Sequence, residues 1–450
     1  MPAIATPSSE LRSFSSSDPS RGSFVDMKQV SAVILSGGEG TRLYPLTLSR
    51  CKPAISFGAK YRLIDVPISN CIHAGLCHIY VVTQFLSSSL HHHISKTYME
   101  GGKSAGKIDL LTAEQKPTER TWYQGTADAV RQNLDYLIDS PAHYFLILSG
   151  DQLYNIDFRH MMQYALETDA DLTLAALPVD AQHASRMGIL KIDSHSFVTD
   201  FQEKPQAAAL LEKMRSSAET FERAGLFSCT QKPYLGSMGI YLFKRKALIN
   251  LLKNDLRADF GKHLIPSAIE SGRVAAFLYE GYWEDIGTIS SFYQANMGLV
   301  ASPPLFNLHH EERPIFSLRD DLPPAYISKT QLNQTFISDG SRIEAELISH
   351  SLLGPRSTIH TGTRIDNSYL MGNDYYTSAI DDHPSMPQEP AIGKNCTIRR
   401  AIIDKNVKLG DGVRLINQDA LQHYDGPHVF IRDGIIIVPR GSTLPDGFIL

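Results

Sequence analysis

Toward the C-terminal end of this chain aliphatic residues return every six positions, and few patterns restrict a backbone so narrowly. Ile337 and Ile343 are six apart, as are Leu353, Ile359 and Ile365, then Ile392 and Ile398, then Val407 and Val413, with Gly, Asn, Asp and Ser in the turns between. An amphipathic helix repeats every three to four residues and a half-buried strand every two, so neither produces this rhythm. Six is the period of hexapeptide coils, in which each turn of a parallel β-helix buries its aliphatic residues by stacking on the next. A β-sandwich of short strands is the plainer alternative, but it gives no reason for the period. Residues 333–450 are therefore expected to form a β-helix, and the break in rhythm at 371–391 (MGNDYYTSAIDDHPSMPQEPA) reads as a loop inserted between coils.

Upstream the pattern changes twice. Residues 301–332 begin SPPLFNLHHEERPIFSLRDDLPPA after Ala301, rich in Pro and charge and without periodicity, which is the composition of a linker. Across 29–300, short apolar runs alternate with longer amphipathic stretches, as strands alternate with crossover helices in an α/β domain. The runs are VSAVIL (30–35), HIYVVT (78–83), YFLIL (144–148), DLTLAAL (171–177), MGIYLF (238–243) and VAAFLY (274–279). Most are too continuously apolar to face water, so a largely parallel sheet covered by helices on both faces is expected. Two domains also suit 450 residues, more than one hydrophobic core usually serves. Residues 1–28 are rich in Ser and Pro and lack an apolar h-region, so a disordered tail is expected rather than a secretory signal. A plastid transit peptide is the alternative, and Glu10, Asp18 and Asp26 weigh against it.

Charge narrows the function. With 43 basic and 48 acidic residues the net charge is −5, which removes the electrostatic case for a nucleic-acid partner. No apolar run is long enough to span a membrane, so a small-molecule substrate fits best. Cys51, Cys71, Cys77, Cys229 and Cys396 are odd in number and form no CxxC pair, as expected of reduced cytoplasmic thiols that make neither disulfides nor a zinc site.

The first apolar run leads directly into SGGEGTRLYPLTLSRCKPA (36–54). Gly37, Gly38 and Gly40 leave backbone amides open to phosphate oxygens, and Arg42 and Lys52 add positive charge. The string fits neither the GxxxxGK[ST] phosphate loop nor a dinucleotide GxGxxG. Asp151 ends a buried run in the form Leu-Ser-Gly-Asp, where an α/β sheet opens its ligand crevice; a structural helix cap is the bland reading. A second acid, Asp285, lies in a Gly-flanked turn, and two such carboxylates suit Mg²⁺, a cation that prefers oxygen and bridges phosphates.

These strings, followed by YRLIDVPISNC (61–71), WYQGTADAVRQ (122–132), SGDQLY (149–154), FQEKPQ (201–206), GSMGIY (236–241), YWEDIGT (282–288), AIIDKN (401–406) and GIIIVPRG (434–441), stand in the order of one family. The chain resembles the plant and bacterial ADP-glucose pyrophosphorylases nearly end to end. The resemblance implies a Rossmann-like nucleotidyltransferase (GT-A-like) α/β domain followed by a left-handed parallel β-helix. It implies adenylyl transfer from ATP to glucose 1-phosphate, giving ADP-glucose and pyrophosphate, with Mg²⁺ held by Asp151 and Asp285. Arg42, Lys52 and Asp151 are then the catalytic residues. Gly37, Gly38, Gln84, Gln124 and Gly125 bind the nucleotide, and Glu203, Lys204 and Ser237 bind the sugar phosphate. A homotetramer is implied, as is a cleft for a phosphorylated effector lined by Arg50, Arg62, His93, Lys405 and Arg440. Asp320 stands there where many relatives carry Arg, so effector binding is expected to be altered in strength or choice. Ser36, Glu39 and Glu280 also depart from the family pattern, and Glu39 puts a negative charge beside a triphosphate. Two alternatives stay open: a transferase for another base or sugar, and a non-catalytic regulatory subunit of the same family. His91, His92 and His93 are expected on a solvated surface, since three consecutive residues on a helix cannot aim at one metal; Trp122 and Trp283 are expected to pack.

Overall fold

The computed structural model describes residues 25–100, 106–114, 122–223, 231–376 and 390–450. Val30–Ser36 (β1) is central to a nine-stranded sheet, with only Leu35 less than fully buried. On one side of it lies His78–Thr83 (β2), and beyond that Lys107–Thr112 (β3). On the other side lies Tyr144–Ser149 (β4), and all of these contacts are parallel. The chain then adds Gln152–Tyr154 (β5), Leu172–Val179 (β6), Gly188–Ile192 (β7), Val198–Glu203 (β8), Tyr234–Lys244 (β9), Val274–Leu278 (β10) and Trp283–Asp285 (β11). Strand β9 runs antiparallel to β4, β6 and β7; β7 and β8 are antiparallel, and β6 pairs in parallel with β10. The sheet is thus mixed, where a largely parallel one was expected. A strand buried on both faces reads as the same apolar run in either direction, so composition carries no sign of β9's reversal.

Alternation along β1 divides the core. Ala32 and Ile34 face a cluster that includes Val66, Ile68 and Cys71 of Asp65–His73 (α1). Val33 faces the opposite cluster, with Ala127 and Val130 of Thr126–Gln132 (α2) and Leu248 and Leu252 of Arg245–Asn254 (α3). Ile289–Leu299 (α4) closes the first face; it begins with a capping box in which Thr288 and Ser291 satisfy each other's backbone amides.

The β-helix starts at Tyr326–Ile327, inside the stretch expected as linker. Its three faces are ladders of aliphatic residues. Ile343, Ile359, Ile392 and Leu409 stack on one, Ile348, Ile365, Ile398 and Leu415 on the second, and Leu353, Leu370, Ile403 and Val438 on the third. The residues that set the six-residue period are buried, except Ile337, which lies at the first coil and is half-buried. Leu352, Tyr369, Met371, Ile402 and Ile437 belong to the same apolar cluster as α1 and α4, so one core runs through both parts of the molecule.

Two segments differ from the sequence reading. Residues 301–325 hold no regular element, yet Phe306 and Ile315 are buried and the Phe316 amide donates to Ser69 Oγ at 2.9 Å. The segment is a strap across the α/β domain rather than a free linker. A second interruption of the coils, not read from the sequence, forms a hairpin of His423–Asp425 and Phe430–Arg432. It reaches the glycine-rich loop, where Phe430 meets Tyr44 edge-on at 5.5 Å. Of the expected tail, residues 1–24 lie outside the described residues; within 25–28, Met27 is buried in a short 3₁₀ turn capped by Asp26. Residues 377–389 of the expected inserted loop and Cys229 also lie outside them. Among the described residues, no helix is long and apolar enough to cross a membrane.

Candidate active site

Strands β1, β2 and β4 run in parallel, so the loops after them open on one edge of the sheet, the place where α/β folds bind ligands. The loop after β1 turns at Gly40, whose φ of +66° is the left-handed region that suits glycine. A Cβ at Gly38 would meet no protein atom within 4 Å, so what that glycine spares is space in the cleft. Arg42 and Lys52 follow, each in a short 3₁₀ turn.

Asp151 and Asp285 are brought together by a two-stranded ribbon in which β11 pairs with β5 and Asp285 lies opposite Gln152. Asp285 therefore stands at the end of a short strand, not in a free turn. Lys52 Nζ pairs with Asp151 Oδ2 and lies 3.9 Å from Asp285 Oδ1. Ser149 donates from its hydroxyl to Asp151 Oδ1. Burial opposes ionisation of Asp151, but the Lys52 ammonium and the Ser149 hydroxyl hold its carboxyl below the usual range. Asp285 moves the other way although its side chain is 46% exposed, raised by the protein packed around the cleft and by the negative charge of Asp151. Arg42 closes this group: a Cβ built on Gly287 would lie 3.7 Å from its terminal nitrogens and 3.3 Å from Asp285 Oδ2. Two cations and two carboxylates thus cancel locally.

The opposite wall is built from β8 and β9. Lys204 lies 3.2 Å from Glu203 Oε1, has a positive φ of 47°, and is fixed by its amide donating to the Met187 carbonyl at 3.0 Å. Ser237 is buried on β9, and its hydroxyl accepts from the Gly239 amide at 3.3 Å. Between the walls, Gln84 at the end of β2 accepts the Tyr123 amide on Oε1 at 2.6 Å, and Gln124 donates its amide to Asp128 at 2.9 Å. Gly125 is required by close approach, since a Cβ there would lie 2.5 Å from the Ala258 carbonyl oxygen.

Gly37, Gly38, Arg42, Lys52, Gln84, Gln124 and Gly125 all line one cavity of about 690 Å³. Asp151, Glu203, Lys204, Ser237 and Asp285 line the same one. Sequence reading missed Asp259, Gln152 and Phe85 on this surface. Asp259 approaches Thr126 Oγ1 at 3.3 Å across two segments far apart in the chain, and no local spacing signals that. Trp283 lines the cavity as well, whereas Trp122 is 56% exposed and stacks on Phe85 at 5.9 Å instead of packing in a core. Ser36 places its buried hydroxyl under the loop, so close that a Cβ on Gly150 would lie 2.5 Å from it.

Among the described residues no three His, Cys, Asp or Glu side chains gather as a metal cage. Two carboxylates sharing one cation do fit a hard divalent ion that takes its other ligands from water and phosphate, as Mg²⁺ does.

The residues expected at an effector site separate. Arg62, His93, Lys405 and Arg440 line a second cavity, of about 1040 Å³, between the α/β domain and the β-helix. Arg50 does not. It is 2% exposed and paired with Asp404, so it pins the two parts together and is out of a ligand's reach. His93 is not on a solvated surface either: it is 3% exposed, and its Nε2 lies 2.6 Å from the fully buried Asp65. Asp320 sits in the same cleft, paired with Arg356 at 3.0 Å.

Comparison with known families agrees with this geometry. A family described as nucleotidyl transferase matches residues 31–302, and the GLGC left-handed parallel β-helix domain matches residues 320–449. The coils are thus those of a left-handed helix following a nucleotidyl transferase domain. The chain belongs to the nucleotidyl transferase family and carries the two-part architecture characteristic of glucose-1-phosphate adenylyltransferases.

Proposed function

We propose that the protein transfers the adenylyl group of ATP to α-D-glucose 1-phosphate, forming ADP-glucose and pyrophosphate for glycogen or starch synthesis. The observation that carries this reading is a single cavity joining the glycine-rich loop, the Lys52–Asp151–Asp285 group and the Glu203–Lys204–Ser237 wall. The nucleophile is the phosphate oxygen of the sugar phosphate. It is already anionic at neutral pH, so no side chain must remove a proton. It attacks the α-phosphorus of ATP, a new phosphorus–oxygen bond forms, and the bond to the bridging β-phosphate oxygen breaks as pyrophosphate leaves with the electron pair.

The chain's own contribution is positioning and charge. Arg42 and Lys52 hold the departing phosphates, Lys204 grips the phosphate of the sugar, and Glu203 and Ser237 meet its hydroxyls. Gln84, Gln124 and Gly125 face the adenine, with Gly37 and Gly38 under the phosphates. The local balance of Arg42 and Lys52 against Asp151 and Asp285 leaves little net positive charge for a triphosphate. Bound Mg²⁺ supplies that charge, with Asp151 and Asp285 as its protein ligands.

The second cavity, with Arg62, His93, Lys405 and Arg440, is the seat of a phosphorylated effector. Tyr326, Ile327, Leu332 and Phe336 leave large apolar side chains exposed on the first coils, which supports assembly into a homotetramer. Pyrophosphate release with glucose 1-phosphate and each of ATP, GTP, UTP and dTTP tests the reaction. ATP is expected to be preferred by at least about tenfold, the worth of one or two base-reading hydrogen bonds; equal use of another nucleotide contradicts the assignment.

A further inference from the structure

We propose that Asp374 is an internal carboxylate ligand that fills the anion seat of the cleft between the domains, so that a phosphorylated effector binds by displacing this one side chain. The inference rests on reading that cleft as an effector site and adds what occupies the seat before an effector arrives.

The geometry is that of a bound anion. Lys405 Nζ lies 2.6 Å from Asp374 Oδ1, while Arg440 at 2.7 Å and Asn406 Nδ2 at 3.1 Å donate to Oδ2. Three donors, two of them cationic, converge on one carboxylate as they do on phosphate oxygens. The Asp374 side chain is 31% exposed and lines the cavity, so a solute can reach it. Its backbone, by contrast, is fixed. The Asp374 amide donates to Asn406 Oδ1 at 2.8 Å, and Asn373 donates to the carbonyls of Arg356 at 2.8 Å and Pro390 at 3.0 Å. Exchange therefore needs rotation of one side chain and no movement of the chain. Lys405 and Arg440 together outweigh the single charge of Asp374, and a phosphate dianion matches them better than a carboxylate does.

The opposing account is that Asp374 aligns Lys405 and Arg440 for a ligand and leaves when nothing needs aligning; it predicts the opposite sign on removal. Equilibrium binding of inorganic phosphate and of 3-phosphoglycerate is to be measured on the wild type, Asp374→Asn and a Lys405→Ala, Arg440→Ala double variant, with melting temperatures at matched phosphate. Asp374→Asn is expected to bind both anions about tenfold tighter, the worth of one competing charge-assisted contact, and to gain more melting temperature from phosphate than the wild type. The double variant should bind neither. Asp374→Ala must show the same direction, which guards against a folding defect in the Asn variant. Weaker binding after removal overturns the proposal in favour of alignment. Equal binding in the wild type and the Asp374 variants, with binding lost in the double variant, overturns it while leaving the cleft an effector site; undiminished binding in the double variant, or absence of binding in all of them, overturns both.

Discussion

The two cavities are built from the same side-chain chemistry in different proportions. Around Lys52 two carboxylates share one ammonium, and Arg42 beside Asp285 brings the group only to balance. Around Asp374 two cations and an amide share one carboxylate. The first arrangement has no surplus positive charge and the second has one, and the proportion rather than the residue types tells them apart. Position follows the same division. The Lys52 group sits at the sheet edge of the α/β domain, while the Asp374 group belongs wholly to the β-helix and faces Arg62 of the α/β domain across the junction of the two parts.

That junction gives the largest expected effect. Arg50→Ala leaves the buried Asp404 carboxylate without its cation, with only the Lys405 amide still donating to it, and stability measured by urea unfolding should fall by about 3 kcal/mol. A loss under about 1 kcal/mol would show that this pair does not hold the two parts together. In the cavity of the α/β domain, Asp151→Asn and Asp285→Asn should each keep the fold and lower kcat by about a hundredfold or more, because each removes a carboxylate that would hold the charge-stabilising cation. Near-normal turnover in either variant takes that residue out of the mechanism. Lys204→Ala is milder and selective: KM for glucose 1-phosphate should rise about tenfold with KM for ATP little changed, since this lysine holds a phosphate that does not change partners. Equal effects on the two substrates sink the assignment.

The smallest effect is in acid. Although burial opposes ionisation, the Lys405 ammonium, the Arg440 guanidinium and Asn406 hold the Asp374 carboxyl at about 2, below its ordinary 3.8. Its contribution to stability is complete above the ordinary value and is lost as pH falls from there toward 2. Arg62 and Arg50 also face it and add to the same direction. Unfolding free energy of the wild type should therefore fall faster between these pH values than that of Asp374→Asn. Parallel curves would show that Asp374 is not held in this way.

Sequence and structure part company where contacts are long-range. The six-residue period was legible because each coil must place an aliphatic residue over the one below, and Ile359, Ile365 and Ile398 are buried for that reason. The residues around the glycine-rich loop were legible because their strings are local. Arg50 looked like any cation of the effector cleft, since its neutralisation by Asp404 depends on how two domains meet. His93 looked solvated beside two other histidines, yet one helix face turned it onto Asp65. Asp374 carried no signal, being a single acid after Gly372 and Asn373 in a segment read as an inserted loop. The hairpin that brings Phe430 to Tyr44 was hidden because its apolar residues continue the composition of the coils around it.

The central claim is that Asp151 and Asp285 together form the seat of a divalent cation. Mn²⁺, which shares the oxygen preference of Mg²⁺, can be counted by electron paramagnetic resonance on the wild type and on each Asp→Asn variant, with and without ATP. One ion per chain that tightens with ATP, and is weakened at least about tenfold in both variants, is the predicted result. Unchanged Mn²⁺ binding in either variant would contradict it.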